Sequence, residues 1–182
     1  MVWALNIVGL SFGASALAIM LWSIARSSQR IWPPQRYGLM VKICVWVPTL
    51  SIFGAIIGLG VLGWNDADLP AWIRFGIGIP LIIGGHISVW REVAAFGIDQ
   101  TGGATGTLRT TGLYRYSRNP QYVADIVMII GWLLLSASYG AIPLGIVGIL
   151  VLATAPFAEE PWLRERYGDE YDAYAARVRR YF

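Results

Sequence analysis

Long apolar runs constrain the fold of this chain more than any other feature of its sequence. A helix needs about 20 apolar residues to cross a bilayer. Five stretches reach or approach that length: residues 3–25, 43–63, 71–90, 120–137 and 140–157. Charged residues make up 14% of the chain, against about 25% in soluble domains. We therefore predict an all-α integral membrane protein with five transmembrane helices.

The last two runs are short and are separated only by SASYG at positions 136–140, which predicts a helical hairpin in the membrane. Beyond the hairpin, aromatic and aliphatic residues recur at helical spacing: Leu163, Tyr167, Tyr171, Tyr174 and Val178. This pattern predicts cytoplasmic amphipathic tail helices, separated at Gly168, that lie at the membrane interface or also form a wall of a binding site. We interpret residues 1–182 as one membrane domain, with three spans in 1–96 and a loop, the hairpin and the tail in 97–182.

The charges between the runs predict how the chain is oriented. Residues 26–42 contain four basic and no acidic side chains, whereas residues 64–70 contain two acidic and no basic ones. Residues 91–118 are again rich in arginine. Because basic loops stay on the cytoplasmic side, we expect the N-terminus outside and the C-terminus in the cytoplasm.

Several classes of function are disfavoured by composition. The net charge of +3 is explained by topology, so we expect no nucleic-acid partner. A single cysteine, Cys44, excludes an internal disulfide and a cysteine metal cluster. A single histidine, His86 in the third run, excludes a histidine-rich metal site, and we expect no metal. Arg74 lies near the outer end of that run, where we expect it to extend its guanidinium to the interface.

The segment YRYSRNPQY, residues 114–122, places many hydrogen-bonding groups directly before the fourth run. Pro120 suits the first turn of a helix, which makes Asn119 the predicted N-cap. Asn119, Tyr122 and Asp125 then share one helix face. A carboxylate inside a span is costly, so Asp125 should face the bundle interior, either as a structural hydrogen-bonding group or as a base.

Two adjacent carboxylates, Glu159 and Glu160, follow the fifth run, at a membrane end that normally favours Lys and Arg. They either mark the end of the lipid core or bind a cation. The segment 97–112, with five glycines and five threonines, is long enough to close over them. Together these features predict a site at the membrane edge for a small zwitterion with a flat ring, open to lipid for an apolar partner.

Two motifs carry a family resemblance. GLYRYSRNPQY (112–122) and EEPWLRERYGDEYDAYAARV (159–178) resemble the paired motifs of the isoprenylcysteine carboxyl methyltransferase and phospholipid methyltransferase family, including its bacterial membrane enzymes. The resemblance covers roughly residues 97–182 and implies S-adenosylmethionine as cofactor and a bacterial inner membrane as location. It implies these cofactor-binding residues: Gln100, Thr107, Leu108, Gly112, Tyr114, Arg118, Asn119, Pro120, Gln121, Tyr122, and one of Glu159 and Glu160.

Two departures from the family pattern bear on the chemistry. The usual histidine is Asn119, which cannot act as a base near neutral pH. The arginine that prenylcysteine enzymes place before the glutamates is missing from TAPFA (154–158), which disfavours a carboxylate substrate. We therefore predict a methyltransferase acting on a membrane-embedded or lipophilic acceptor, a lipid amine or an isoprenoid or small thiol, with Asp125 as the base or, second, His86.

Three alternatives remain open at this point. The first is a carboxyl O-methyltransferase of the isoprenylcysteine type, which needs no base. The second is a membrane reductase that uses NADPH. The third is a membrane partner without catalytic activity that has retained the motifs.

Overall fold

The computed structural model describes residues 1–34, 38–96 and 106–181, and these ranges are helical, without a β-strand. Helix α1 covers Val2–Ala25 and α2 covers Leu39–Leu62. Helix α3 consists of Ala71–Ile73, a π-helical turn at Arg74–Gly78 and Ile79–Phe96 in direct succession. Helices α4, α5 and α6 cover Pro120–Ser136, Ile142–Tyr167 and Asp169–Ala175, and short 3-10 turns occupy Ser27–Gln29, Gly112–Arg115 and Tyr139–Ala141.

Four of these helical segments are long and apolar enough to cross a membrane: Val2–Ala25, Leu39–Leu62, Ala71–Ala94 and Tyr139–Tyr167. The chain is therefore an integral membrane protein, and the fold of its described residues is all-α. The remaining predicted span, the fourth along the chain, corresponds to α4, which is apolar but only 17 residues long. At 1.5 Å per residue it measures about 26 Å, the lower end of what a bilayer core requires.

Helix α5 is central to the bundle and packs against α1, α2 and α4. The buried core lies where α2, α4 and α5 meet, and its largest members are Ile56, Leu59, Ile129 and Leu144. Helix α3 packs mainly along α4. A side chain on Gly78 or Gly131 would place its Cβ 2.9 Å from the backbone oxygen of the other residue, so only glycine allows this approach.

The sequence predicted that Arg74 extends to the interface. The side chain is instead buried, with 6% of its surface exposed. Its Nε donates to the carbonyl oxygen of Leu135 at 3.0 Å, and its guanidinium lies 4.8 Å from the centre of the Trp64 ring. The last carbonyls of a helix lack intrahelical partners and attract cations. The arginine therefore caps the end of α4 instead of reaching toward water.

The ends of the later helices confirm some local predictions and correct others. Asn119 occupies the N-cap position of α4 and Pro120 its first turn, but the Asn119 side chain makes no capping hydrogen bond. Gly168, with a φ of +52°, separates α5 from α6. Helix α5 continues through both glutamates to Tyr167, so these residues lie within a helix and not at its end.

Candidate functional site

The segment 114–122 binds the C-terminal tail of the chain. Five hydrogen bonds join them: Tyr174 Oη to the Tyr114 carbonyl at 2.8 Å, Ser117 Oγ to the Arg180 carbonyl at 3.2 Å, the Arg118 amide to the Arg179 carbonyl at 2.9 Å, Arg118 Nη1 to the Ala175 carbonyl at 3.1 Å, and Asn119 Nδ2 to the Arg180 carbonyl at 3.0 Å. Many of the polar groups that precede α4 therefore donate hydrogen bonds to backbone carbonyls of the tail. The tail in turn is held close to the start of α4.

Glu160 neutralises two arginines at this junction. Its Oε1 accepts hydrogen bonds from Arg118 Nη2 at 2.9 Å and Arg180 Nε at 2.7 Å, and its Oε2 accepts from Arg180 Nη2 at 2.7 Å. The Glu160 side chain is buried, and its hydrogen bond raises the pKa of Arg180 above the usual value. This carboxylate thus joins α5, the start of α4 and the tail.

Glu159 has entirely different surroundings. Its Oε1 accepts hydrogen bonds from Trp32 Nε1 at 2.7 Å and from Tyr122 Oη. Within the described residues its Oε2 accepts no hydrogen bond, and the side chain lines a cleft. Glu159 therefore presents one carboxylate oxygen to the cleft, whereas Glu160 presents none.

The cleft is bounded by α4, α5, the tail and the segment that precedes α4. Its lining is rich in aromatic residues: Trp32, Tyr114, Tyr122, Trp162, Tyr167, Tyr171 and Tyr174. Burial raises the pKa of Tyr114 and Tyr174 well above the usual value and that of Tyr171 to about 12. These phenols therefore stay neutral even well above physiological pH, and their rings can stack on a flat ring.

Residues 106–109, which precede α4 in the described part of the chain, contribute a further wall of the cleft. Tyr167 Oη donates to the Gly106 carbonyl at 2.6 Å, which fixes this segment to α5. Glu92 of α3, which is buried, accepts a hydrogen bond from the Leu113 amide at 3.4 Å and pairs with Arg109 at 3.8 Å. Gly112 adopts a φ of +66° beside Glu92, a conformation that favours glycine.

Most of the predicted cofactor residues meet at the cleft. Eight of them line it: Thr107, Leu108, Tyr114, Arg118, Asn119, Gln121, Tyr122 and Glu159. Gly112 and Glu160 do not line it, and Pro120 lines a separate groove on another face of α4. Gln100 and the rest of residues 97–105 in the predicted closing loop lie outside the described residues.

The two predicted bases are placed differently. Asp125 lies one turn beyond Tyr122 on the same face of α4, does not line the cleft, and makes no hydrogen bond to another described residue. His86 is exposed on α3, where its Nε2 accepts a hydrogen bond from Trp90 Nε1 at 2.9 Å. His86 therefore does not line the cleft and forms no hydrogen bond with Asp125.

Some lining residues were not predicted as site residues. Trp32 and Pro33 come from the turn after α1, more than 120 residues away from Glu159, and no local pattern links them to it. Trp162 lies three residues after Glu159 and shares its helix face, a signal that helical spacing offered. Among the described residues, no three His, Cys, Asp or Glu side chains lie close enough to share a metal ion.

One known protein family matches the part of the chain that contains most of the cleft. The phospholipid methyltransferase family matches residues 73–170, more than half of the chain. The chain belongs to this family. The match runs from α3 to the start of α6 and includes Tyr122 and both glutamates.

A second similarity points to a different chemistry. The chain is 26% identical over 101 residues to the steroid 5-alpha-reductase DET2 of Solanum lycopersicum. The aligned part covers 55% of this chain but only 39% of the reductase, so the chain spans well under half of that relative's length. No solved structure matches significantly.

Proposed function

We propose that this protein is a methyltransferase that uses S-adenosylmethionine and acts on a membrane-embedded or lipophilic acceptor at the membrane edge. The observation that carries the proposal is the open carboxylate oxygen of Glu159 in an aromatic cleft. The cleft is formed largely by residues within the phospholipid methyltransferase region. We assign Glu159, and not Glu160, to the ammonium group of the cofactor, because two arginines already occupy Glu160.

The side chains of the cleft fit a zwitterion better than a polyanion. An ammonium group and a carboxylate at hydrogen-bond distance stabilise each other strongly in a partly buried site. The two arginines that line the cleft already have carboxylate partners, Arg118 in Glu160 and Arg109 in Glu92. A dinucleotide such as NADPH carries several phosphate charges and needs cations that are not already paired. The charge of the cleft thus favours methyl transfer over hydride transfer.

When bound, S-adenosylmethionine supplies a methyl group attached to a positively charged sulfur. The chain binds and orients the two reactants and excludes water from them, and such positioning is worth up to about 7–11 kcal/mol. An amine or thiol acceptor must also lose a proton. We propose Asp125 for this step because it lies on the Tyr122 face of α4, one turn deeper in the membrane. A carboxylate acceptor, the alternative, needs no such base.

We also propose that all five apolar segments cross the membrane and that the cleft faces the cytoplasm, in a bacterial inner membrane. Contacts at the far end of the bundle support a crossing by α4. The Asn65 amide donates to the Ser136 carbonyl at 2.7 Å, and the Tyr139 amide donates to Asp66 Oδ1 at 2.7 Å. The end of α4 and the end of α2 thus lie side by side, as a complete crossing by α4 requires.

The central test is ligand binding by the purified protein in detergent. Isothermal titration should show binding of S-adenosylhomocysteine and no binding of NADPH. Glu159→Gln should weaken the binding by about 1–3 kcal/mol, the cost of spoiling a charge-assisted hydrogen bond. Glu165→Gln is the matched control, because Glu165 lies on the same helix but is exposed and pairs with Arg30. Wild-type affinity in the Glu159 variant would exclude it as the ammonium partner.

Activity separates the remaining alternatives. Incubation with isotope-labelled S-adenosylmethionine and native membrane lipids, followed by mass analysis, should yield a methylated lipophilic product. NADPH binding with reduction of a lipid substrate would support the reductase alternative instead. Binding of neither cofactor, in protein shown to be folded, would favour a partner without catalytic activity.

A further inference from the structure

A second concave surface lies on a different face of α4 from the cleft. It is lined by residues of α3, α4, the segment before α4 and the tail: Ser88, Leu113, Tyr116, Ser117, Pro120, Val123, Ala124, Val127 and Tyr181. We call it the α3–α4 groove. None of these residues lines the cleft. Its lining is mostly apolar, and it extends from Pro120 to Val127, about 10 Å along the helix axis.

The segment before α4 and the tail border the groove near the start of α4. Tyr116 and Ser117 come from the turn before α4, and Tyr181 from the tail. Tyr181 is held there because its Oη donates to the Ala153 carbonyl of α5 at 2.5 Å. The groove therefore begins at the membrane surface and continues into the apolar layer, the path that a lipid chain follows.

Three arginines lie within three residues, along the chain, of residues that line the groove. Arg91 lies one turn after Ser88 on α3, Arg115 lies beside Tyr116, and Arg179 lies two residues before Tyr181. All three are exposed, and no guanidinium among them forms an ion pair or a hydrogen bond with another described residue. Most other arginines near the cleft have such partners, Arg118 and Arg180 among them.

We propose that the α3–α4 groove binds one anionic phospholipid of the adjacent leaflet. One acyl chain lies against Val123 and Val127, and the phosphate contacts Arg91, Arg115 and Arg179. Basic clusters between membrane helices recognise anionic headgroups, and each arginine near the surface strengthens binding about fivefold. The site is separate from the cleft, so its occupant is not the methyl acceptor in the cleft.

Native mass spectrometry of the protein released from nanodiscs tests this inference. The discs contain phosphatidylglycerol and phosphatidylcholine in equal amounts, and the spectra count the lipids that remain bound. The wild-type protein should retain one phosphatidylglycerol in preference to phosphatidylcholine. The combined variant Arg91→Gln, Arg115→Gln and Arg179→Gln should reduce this preference by about a hundredfold, since three arginines contribute about fivefold each.

The matched control removes the same charge from the same side of the protein. Arg26, Arg166 and Arg177 are also exposed and line neither the groove nor the cleft, and replacing all three by Gln changes the net charge equally. This control should change the lipid preference less than about threefold. An equal loss in both variants would mean general attraction of an anionic surface and would overturn the site.

A second measurement uses the apolar part of the groove. A phosphatidylglycerol with a photoreactive acyl chain should crosslink to peptides within residues 113–127, and Val123→Trp should abolish these crosslinks by filling the groove. Crosslinks confined to other helices would refute the inference. Loss of lipid binding in 50 mM inorganic phosphate would likewise refute it, because it would indicate a site for a free anion.

Discussion

Glu159 and Glu160 are adjacent in sequence, and their side chains point about 100° apart around α5. This angle directs Glu159 into the cleft with Trp32 and Tyr122 and directs Glu160 into the junction with Arg118 and Arg180. A buried carboxylate with two arginine partners cannot be lost without leaving charge unpaired. The two residues therefore have separable roles, one toward a ligand and one toward the position of the tail.

Glu160→Gln should reduce the stability of the folded protein by about 2–4 kcal/mol, because it leaves two arginines without a carboxylate at a buried site. The tail should also become sensitive to trypsin after Arg177. Thermal unfolding in detergent and limited proteolysis measure the two effects. Glu165→Gln, at an exposed ion pair, should change stability by less than about 0.5 kcal/mol. Equal stability of the two variants would refute the structural role of Glu160.

Asp125→Asn should reduce turnover about 10²-fold, the usual effect of losing a general base. Binding of S-adenosylhomocysteine and thermal stability should stay near those of the wild type, because Asn preserves the size of the side chain. Turnover and binding are measured on the same preparation across pH 6 to 9. Normal turnover would exclude the base and would favour a carboxylate acceptor, whereas lost stability with normal turnover would make Asp125 structural.

Helices α3 and α4 approach each other closely. At Gly85 of α3, an added Cβ would lie 2.4 Å from Met128 Cγ and 2.7 Å from the Ala124 carbonyl oxygen of α4. At the neighbouring Gly84, the same atom would meet nothing within 4 Å. Interhelical packing in membranes depends on small residues at such contacts, so adjacent glycines in one helix have opposite tolerance to substitution.

Gly85→Ala should destabilise the protein by about 1–3 kcal/mol through overpacking of the two helices. Gly84→Ala should be neutral or stabilise it by up to about 1 kcal/mol, since alanine favours the helix. Thermal unfolding of both variants in the same detergent gives the comparison. Equal stability of the two variants would contradict the close contact between α3 and α4.

At the scale of the whole molecule, the bundle has two unlike ends. One end holds the cleft, the tail and the arginines of the α3–α4 groove. The other end brings the turn after α2 against the end of α4 and buries Arg74. If α4 crosses the membrane, these two ends face different compartments.

Single cysteines introduced into a Cys44→Ser background test this arrangement. Arg115→Cys, Tyr139→Cys and Glu170→Cys place the thiol at exposed positions on either side of α4 and in the tail. A membrane-impermeant maleimide added to intact cells should label only the cysteine at position 139. Labelling of position 115 together with position 139 would mean that α4 does not cross.

The sequence alone was sufficient for the fold class and for most of the helix boundaries. Hydropathy reports the cost of burying polar groups in lipid, and helix periodicity and Pro120 act over a few residues, so these signals are local. The resemblance of the two motifs to a known family, and not these local signals, supplied the eight residues that line the cleft. The number of transmembrane spans was less predictable, because α4 is close to the shortest length at which a helix can cross a bilayer.

Only the tertiary structure decided which side chains pair with each other. It placed Trp32 beside Glu159 and paired Glu160 with two arginines. It also directed the Asn119 side chain to the tail instead of to the helix end. It also buried Arg74 and placed His86 outward, away from the cleft. These outcomes depend on which helix faces meet, because the paired residues lie from 20 to 127 positions apart in the sequence and meet only through packing of the whole bundle. Sequence patterns identify candidate groups for a site, and packing selects which of them face it.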